Sequence, residues 1–157
     1  IRNNISFGIT NEEADLERIE KAAKEAAIHD NIDKFQKRYE TELGERGITL
    51  SGGQKQRISI ARAIIDRPSI LIFDDCLSAV DTETEEEILN NLKTIMKGRT
   101  SVIISHRISS IKQADQILVM EKGIILEQGT HQELIEAKGS YFETHQKQLL
   151  EEGKNLA

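Results

Sequence analysis

The sequence is short of the residues that build stapled, membrane-spanning or nucleic-acid-binding proteins. It has one cysteine, one proline and no tryptophan, and aromatic residues make up 4% of its 157 positions. A lone Cys76 excludes an internal disulfide and fits a reducing compartment, so a cytoplasmic chain is expected. Apolar runs such as "SILIF" and "SVIIS" fall far short of the roughly 20 residues that a membrane-spanning helix needs, and no signal-peptide pattern opens the chain. With 21 Lys+Arg against 27 Asp+Glu the formal charge is −6. The basic residues are scattered, so no patch argues for a nucleic-acid partner. A G-x-x-x-x-G-K-[ST] loop is also missing. What remains, 38% hydrophobic and 31% charged residues, is ordinary for a globular domain with a real core. "IRNNISFGI" begins without Met on an apolar stretch that reads as strand or loop, as though taken from something longer.

Along the chain, Thr10 to Glu13 has the T-x-x-E pattern of a capping box. Ala14, Leu16, Ile19, Ala22, Ala23, Ala26 and Ala27 follow at helical spacing, which predicts an amphipathic helix with a small-residue face. "NIDKFQKRY" predicts a weaker helix, and "ETELGERGITLSGG" a polar loop. From Gln54 a helix is expected to turn Ile58, Ile60, Ala61, Ala63, Ile64 and Ile65 inward until Pro68 stops it. "SILIFDD" reads as a strand covered on both faces. The helix Asp81 to Lys97, closed by Gly98, then leads to the strand "SVIISH", and "RISSIKQA" leads to "DQILVMEKG". Strand, helix, strand, helix, strand predicts a parallel α/β sheet with right-handed crossovers. "ILVMEKGIILEQG" predicts a hairpin turning at Lys122-Gly123, and Thr130 to Glu133 is a second capping box. The chain divides near Leu43 to Leu50, with a helical part before and an α/β part after.

In open parallel sheets ligands lie at the carboxyl ends of the strands, and polar groups fall there. Asp74 and Asp75 close the first strand, and His106 closes the second. An Asp after four apolar strand residues is where a nucleotide hydrolase holds Mg²⁺, and its neighbour is placed to polarise water against the terminal phosphate. "LSGGQKQR", Leu50 to Arg57, reads as a glycine turn running into a helix, whose free N–H groups favour a bound anion.

In order and spacing, "LSGGQKQR", "ILIFDD", "LSAVD" and "SHR" resemble the signature sequence, Walker B strand, D-loop and H-switch of ATP-binding cassette (ABC) transporter nucleotide-binding domains. The similarity runs from Ile1 to about the last helix. It implies an α/β fold with a P-loop NTPase-like parallel sheet, here an incomplete ABC ATPase core, and a helical subdomain. Residues 1–50 would be the end of the Q-loop region and the helical subdomain, and 51–157 the signature helix, the Walker B, D-loop and H-switch part and the C-terminal helices. The adenine-stacking aromatic, the P-loop lysine and the Q-loop glutamine are expected before Ile1, so these residues alone should not hydrolyse ATP. In the family the P-loop strand lies between the strands matching "SVIISH" and "QILVM", so the sheet is expected to have a gap.

The resemblance also implies that two such domains pair head to tail, as a homodimer or heterodimer. Leu50, Ser51, Gly52, Gly53 and Gln54, with Asp81, would then contact ATP held by the partner. Asp74 would hold Mg²⁺, and Asp75 and His106 would act on this chain's own nucleotide. "TELGERG" resembles the loop by which exporter-type cassettes sense their membrane domains, which implies transmembrane partners and a place on the cytoplasmic side of the cell membrane. "FQKRY" departs from the family's usual Leu-Pro before the tyrosine. Asp75 stands where the family normally has glutamate. One methylene less is expected to leave a site that binds Mg·ATP but turns over slowly, a degenerate site whose signature serves the partner.

Simpler readings stand beside these. Ser51 to Gln54 could be only a helix cap, Asp74 a strand-end cap, Asp81 an N-cap, and His106 a structural histidine. Cys76 reads as a packing residue, His29, His131 and His145 as surface residues, and Glu83 to Glu87 as a solvated helix face. Two other functions remain open: a soluble ABC ATPase without membrane domains, and an inert interaction module.

Overall fold

The computed structural model describes residues 1–7, 9, 15–44, 49–77, 79–80 and 82–154, with only the backbone for 82, 83, 152 and 154. The Thr10 to Glu13 capping pattern, Asp81 and most of "GERGI" lie outside the described residues. The chain forms two compact units, Ile1–Val102 and Ile103–Ala157.

The first unit opens with α1 (Arg2–Ile5), α2 (Leu16–Glu25) and α3 (His29–Asp33), then a 3-10 turn at Arg38–Glu40. α1 replaces the strand or loop expected of "IRNNI". Ile1 and Ile5 are four residues apart, both are buried, and that spacing puts them on one helical face. The described part of α2 is capped by Asp15, whose carboxylate accepts from the Arg18 N–H at 2.8 Å. Ile19, Ala22 and Ala23 face inward as expected, whereas Leu16 is exposed. The helix expected over "NIDKFQKRY" stops at Asp33. Arg38, just before Tyr39, is left-handed at φ +44°, a conformation a regular helix cannot use.

α4 (Gly52–Ile64) packs on α1 and α2. It starts two residues before the expected Gln54, because its cap is strong enough to place both glycines in the first turn. Ile58, Ile60, Ala61, Ile64 and Ile65 are buried as expected, and Ala63 is exposed. β1 (Ile70–Asp74), α5 (Thr82–Met96) and β2 (Thr100–Ile104) follow, and β1 pairs with β2 in a two-stranded parallel sheet. Here the expectation of a strand covered on both faces fails. Leu71 and Phe73 are each 3% exposed, but Ile70 and Ile72 are 63% and 65% exposed. The pleat sends alternate side chains to opposite faces, and only one face is packed. Glu85 is also misread as solvated. It is 3% exposed, because it shares the inward stripe of α5 with buried Ile88 and Leu92.

The second unit holds the end of β2, then α6 (Ile108–Ile111), β3 (Ile117–Glu121), β4 (Ile124–Gly129), α7 (His131–Ala137) and α8 (Ser140–Lys154). β3 pairs antiparallel with β4. The described residues form two two-stranded sheets, so β3 stands outside the β1–β2 sheet, as the expected gap between the strands of "SVIISH" and "QILVM" requires. The hairpin turns where expected, with Lys122 and Gly123 at φ +51° and +79°, as a two-residue turn of this kind requires. Ile108, Ile117, Leu134 and Tyr141 form the core of this unit.

The histidines read as surface residues are half-buried and have partners. His29 shares a 2.7 Å hydrogen bond with the Tyr39 hydroxyl, and His131 a 2.8 Å bond with that of Tyr141. His131 also meets His145 edge to face, with ring centroids 5.4 Å apart. Burial first, then the His145 and Lys112 charges, hold the His131 pKa below its ordinary value.

Candidate functional site

Ser51 enters α4 in an extended conformation, and its Oγ accepts from the Gln54 N–H at 3.2 Å. The Gln54 Oε1 in turn accepts from the Ser51 N–H at 2.9 Å. This reciprocal box satisfies the N-cap and N3 amides and leaves the Gly52 and Gly53 amides, at the first two helical positions, outside it. Ser51 and Gly52 are exposed, Gly53 and Gln54 half-buried, and Leu50 buried just ahead of them. A bare, positively polarised start of a thirteen-residue helix is thus open to an anion.

The glycines have a second reason to be there. A Cβ on Gly53 would lie 2.8 Å from the Ala79 carbonyl oxygen and 3.3 Å from Val80 Cγ1. One on Gly52 would lie 3.3 Å from Ala79 Cβ. The close approach expected for a ligand is therefore also used by the chain's own 79–80 segment. Gln56 ties the same segments together: its Oε1 accepts from the Ala79 N–H at 2.9 Å, and its Nε2 donates to the Asp75 carbonyl at 3.3 Å. Arg57 donates to the Ala27 carbonyl at 2.5 Å and to Asn31 Oδ1 at 3.0 Å, which fixes α4 to the α2–α3 connection and to α3 itself. Sequence reasoning missed both roles. The signal was present in "GGQKQR", two long polar side chains on the first turns of a helix that otherwise buries isoleucines.

Asp74 ends β1 with an exposed carboxylate. Asp75 follows, also exposed and left-handed at φ +45°, a region that Asp and Asn enter more readily than longer side chains. Burial, reinforced by the Asp75 and Asp74 charges, pushes the Cys76 thiol up to about 11. A thiol held protonated at neutral pH is a poor nucleophile, which agrees with a packing role. Among the described residues no group of three or more His, Cys, Asp or Glu is arranged to hold a metal. Mg²⁺ does not need one, since it binds through one or two carboxylates and completes its shell with water and phosphate oxygens. A hard, exposed oxygen donor at Asp74 fits that demand.

His106 belongs to the second unit. It lies two residues past β2 and is exposed. Its loop is pinned by the Arg107 N–H donating to Ser105 Oγ at 3.0 Å, and by Gln148 of α8. Of the residues singled out in the sequence, the structure therefore joins 51–54 with Asp75 through Gln56 and Ala79, while His106 sits in the other unit.

Comparison with known proteins agrees with the family resemblance read from the sequence. The family model described as ABC transporter matches residues 2–78. The chain is 56% identical over 142 residues to an uncharacterised ABC transporter ATP-binding protein of Bacillus subtilis (strain 168), covering 90% of this chain and 24% of that protein. It is 47% identical over 149 residues to the ATP-dependent lipid A-core flippase of Idiomarina loihiensis, covering 95% and 25%. Among solved structures, a bacterial Atm1-family ABC exporter with ATP bound superposes with a TM-score of 0.87 at 42% identity, over 94% of this chain and 26% of that one. The chain spans about a quarter of the length of the curated relatives it matches. On these findings the chain is similar, over nine-tenths or more of its length, to ATP-binding proteins of ABC transporters, and its α/β fold matches that part of an ABC exporter.

Proposed function

We propose that this chain is the signature-bearing part of an ABC exporter's nucleotide-binding domain, where ATP binding and hydrolysis drive transport through membrane domains. The observation that carries the reading is the neutrally capped start of α4, exposed at Ser51 and Gly52 with half-buried Gly53 beside them. It is half of a phosphate grip, and the other half comes from a second nucleotide-binding domain, identical or different. Leu50 and Gln54 hold the grip in shape, and Asp81 contributes across the same interface. Residues 1–50 are the helical subdomain side of this arrangement and 51–157 the catalytic side. The domain works on the cytoplasmic face of the membrane. The described residues include no helix long and apolar enough to cross one.

Asp74 would hold Mg²⁺ in this chain's own site. The ion would supply neutralisation of the negative charge that develops on the phosphates. Asp75 orients or deprotonates the attacking water, and His106 contacts the γ-phosphate. Because Asp75 is a methylene shorter than Glu, its carboxylate stands back from the water, and a displacement of about 1 Å costs roughly a hundredfold in rate. The site binds nucleotide and turns over slowly, while the intact signature serves the partner's site. The 157 residues contain no G-x-x-x-x-G-K-[ST] loop, so hydrolysis requires one from another segment.

The test is Asp75→Glu in the full-length protein paired with a partner lacking its own catalytic glutamate. A rise of at least about tenfold in hydrolysis is expected. Turnover as slow as with Asp75 would refute the side-chain-length argument.

A further inference from the structure

His106 presents its ring from a short loop between β2 and α6, and the backbone of that loop is gripped from α8. Gln148 Nε2 donates to the His106 carbonyl at 2.7 Å, and its Oε1 accepts from the Ile108 N–H at 2.9 Å. One side-chain amide thus takes a donor and an acceptor from residues on either side of Arg107, as a neighbouring strand would. Two oriented bonds define the amide plane and the loop together. Glutamine is suited to this: glutamate has the same shape but cannot donate.

The clamp is itself anchored. Glu127 of β4 accepts from the Ser140 and Tyr141 N–H groups at 2.5 and 3.3 Å, which caps the start of α8. Tyr141 is buried in the core that also holds Ile108. Seven residues later, on nearly the same helical face, comes Gln148. Tyr141 therefore sets the seat of the helix and Gln148 transmits it to the loop. We infer that Gln148 is a positioning residue for His106, setting the direction in which the ring meets the terminal phosphate. The inference rests on the reading of His106 as a γ-phosphate contact.

A γ-phosphate contact favours ATP over ADP, whereas loss of structure weakens both. The experiment therefore measures how well Mg·ATP and Mg·ADP each compete with 8-azido-ATP photolabelling of this chain in the full-length protein. His106→Ala is expected to lower the ATP-over-ADP preference about tenfold, the size of a hydrogen bond to a charged group. Gln148→Leu is expected to lower it about fivefold by the same argument, with ADP affinity unchanged. Gln148→Glu, which keeps the acceptor for Ile108 and loses the donor to His106, should act like Gln148→Leu, and it decides the matter if the leucine variant does not accumulate. His106→Ala combined with Gln148→Leu should be no worse than His106→Ala alone, because the two act through one contact.

Equal losses of ATP and ADP affinity in the Gln148 variants, or losses that multiply with His106→Ala, would overturn the inference and leave Gln148 a structural residue. An effect of His106→Ala with none from Gln148→Leu removes the inference only. If His106→Ala leaves the preference intact, the underlying reading of His106 falls and the inference with it.

Discussion

Ser51 to Gln54 at the start of α4 and Thr130 to Glu133 at the start of α7 are capping boxes of one design. In each, an N-cap hydroxyl accepts from the N3 amide and the N3 side chain reaches back to the N-cap amide, at 2.9 Å in the first and 2.8 Å in the second. They differ in what stands between and in charge. The α7 box closes on a carboxylate, Glu133, whose pKa is held below its ordinary value by the Thr130 N–H and hydroxyl. An internal anion thus already sits at the positive end of that helix. The α4 box closes on a neutral amide, and its first two helical positions are glycines where α7 has His131 and Gln132. The same cap makes a finished helix end in one place and an open, uncharged one in the other. The difference lies in one carboxylate and two missing side chains.

Exchanging those features tests the comparison. Gln54→Glu gives α4 the cap of α7. It should leave the helix as stable or more stable by about 0.5 kcal/mol, yet weaken ATP-dependent pairing about tenfold or more, because a carboxylate would face the phosphates. Unchanged pairing, measured by nucleotide-dependent dimerisation, would break the comparison. Gly53→Ala places a methyl against the Ala79 carbonyl oxygen and should cost about 1–2 kcal/mol in urea unfolding despite alanine's better helix propensity. Gly52→Ala, which meets only a side-chain methyl at 3.3 Å, should stay within about 0.5 kcal/mol of wild type. If Gly53→Ala stabilises instead, the contact with 79–80 is not what keeps that position bare. Gln56→Leu, which leaves the Ala79 N–H and Asp75 carbonyl without their partner, should cost about 1 kcal/mol by the same measurement.

The smallest effect is at Glu133. A carboxyl whose folded pKa is depressed contributes stability above its unfolded pKa and loses it as pH falls through the folded value. Amide exchange in α7 should therefore speed up as pH falls below about 4, after allowance for intrinsic exchange rates. Glu133→Gln should abolish that dependence, and a persisting one would assign it to another group.

Local chemistry was legible in the sequence. The hairpin at Lys122-Gly123, the Thr130 box, the α4 isoleucine face and the strand-end position of Asp74 all follow from neighbours within a few residues. What was hidden depends on distance. An apolar run such as "SILIF" has the same appearance whether one face or both are covered, so the exposure of Ile70 and Ile72 could not be read. Glu85 lies inside because its stripe continues to Ile88 and Leu92, although its neighbours in sequence are charged. His29 and His131 each find a tyrosine hydroxyl ten residues on. Gln148 reaches His106 across 42 residues, and no local pattern announces that bond.

The central claim is that the open start of α4 grips a phosphate held by another nucleotide-binding domain. The direct measurement is disulfide trapping of Ser51→Cys, in a Cys76→Ala background of the full-length protein, with a cysteine placed in the partner's P-loop. The account expects a cross-link that forms with Mg·ATP when hydrolysis is blocked and fades with ADP or no nucleotide. A cross-link indifferent to nucleotide, or none under any condition with the new thiol accessible, would contradict it.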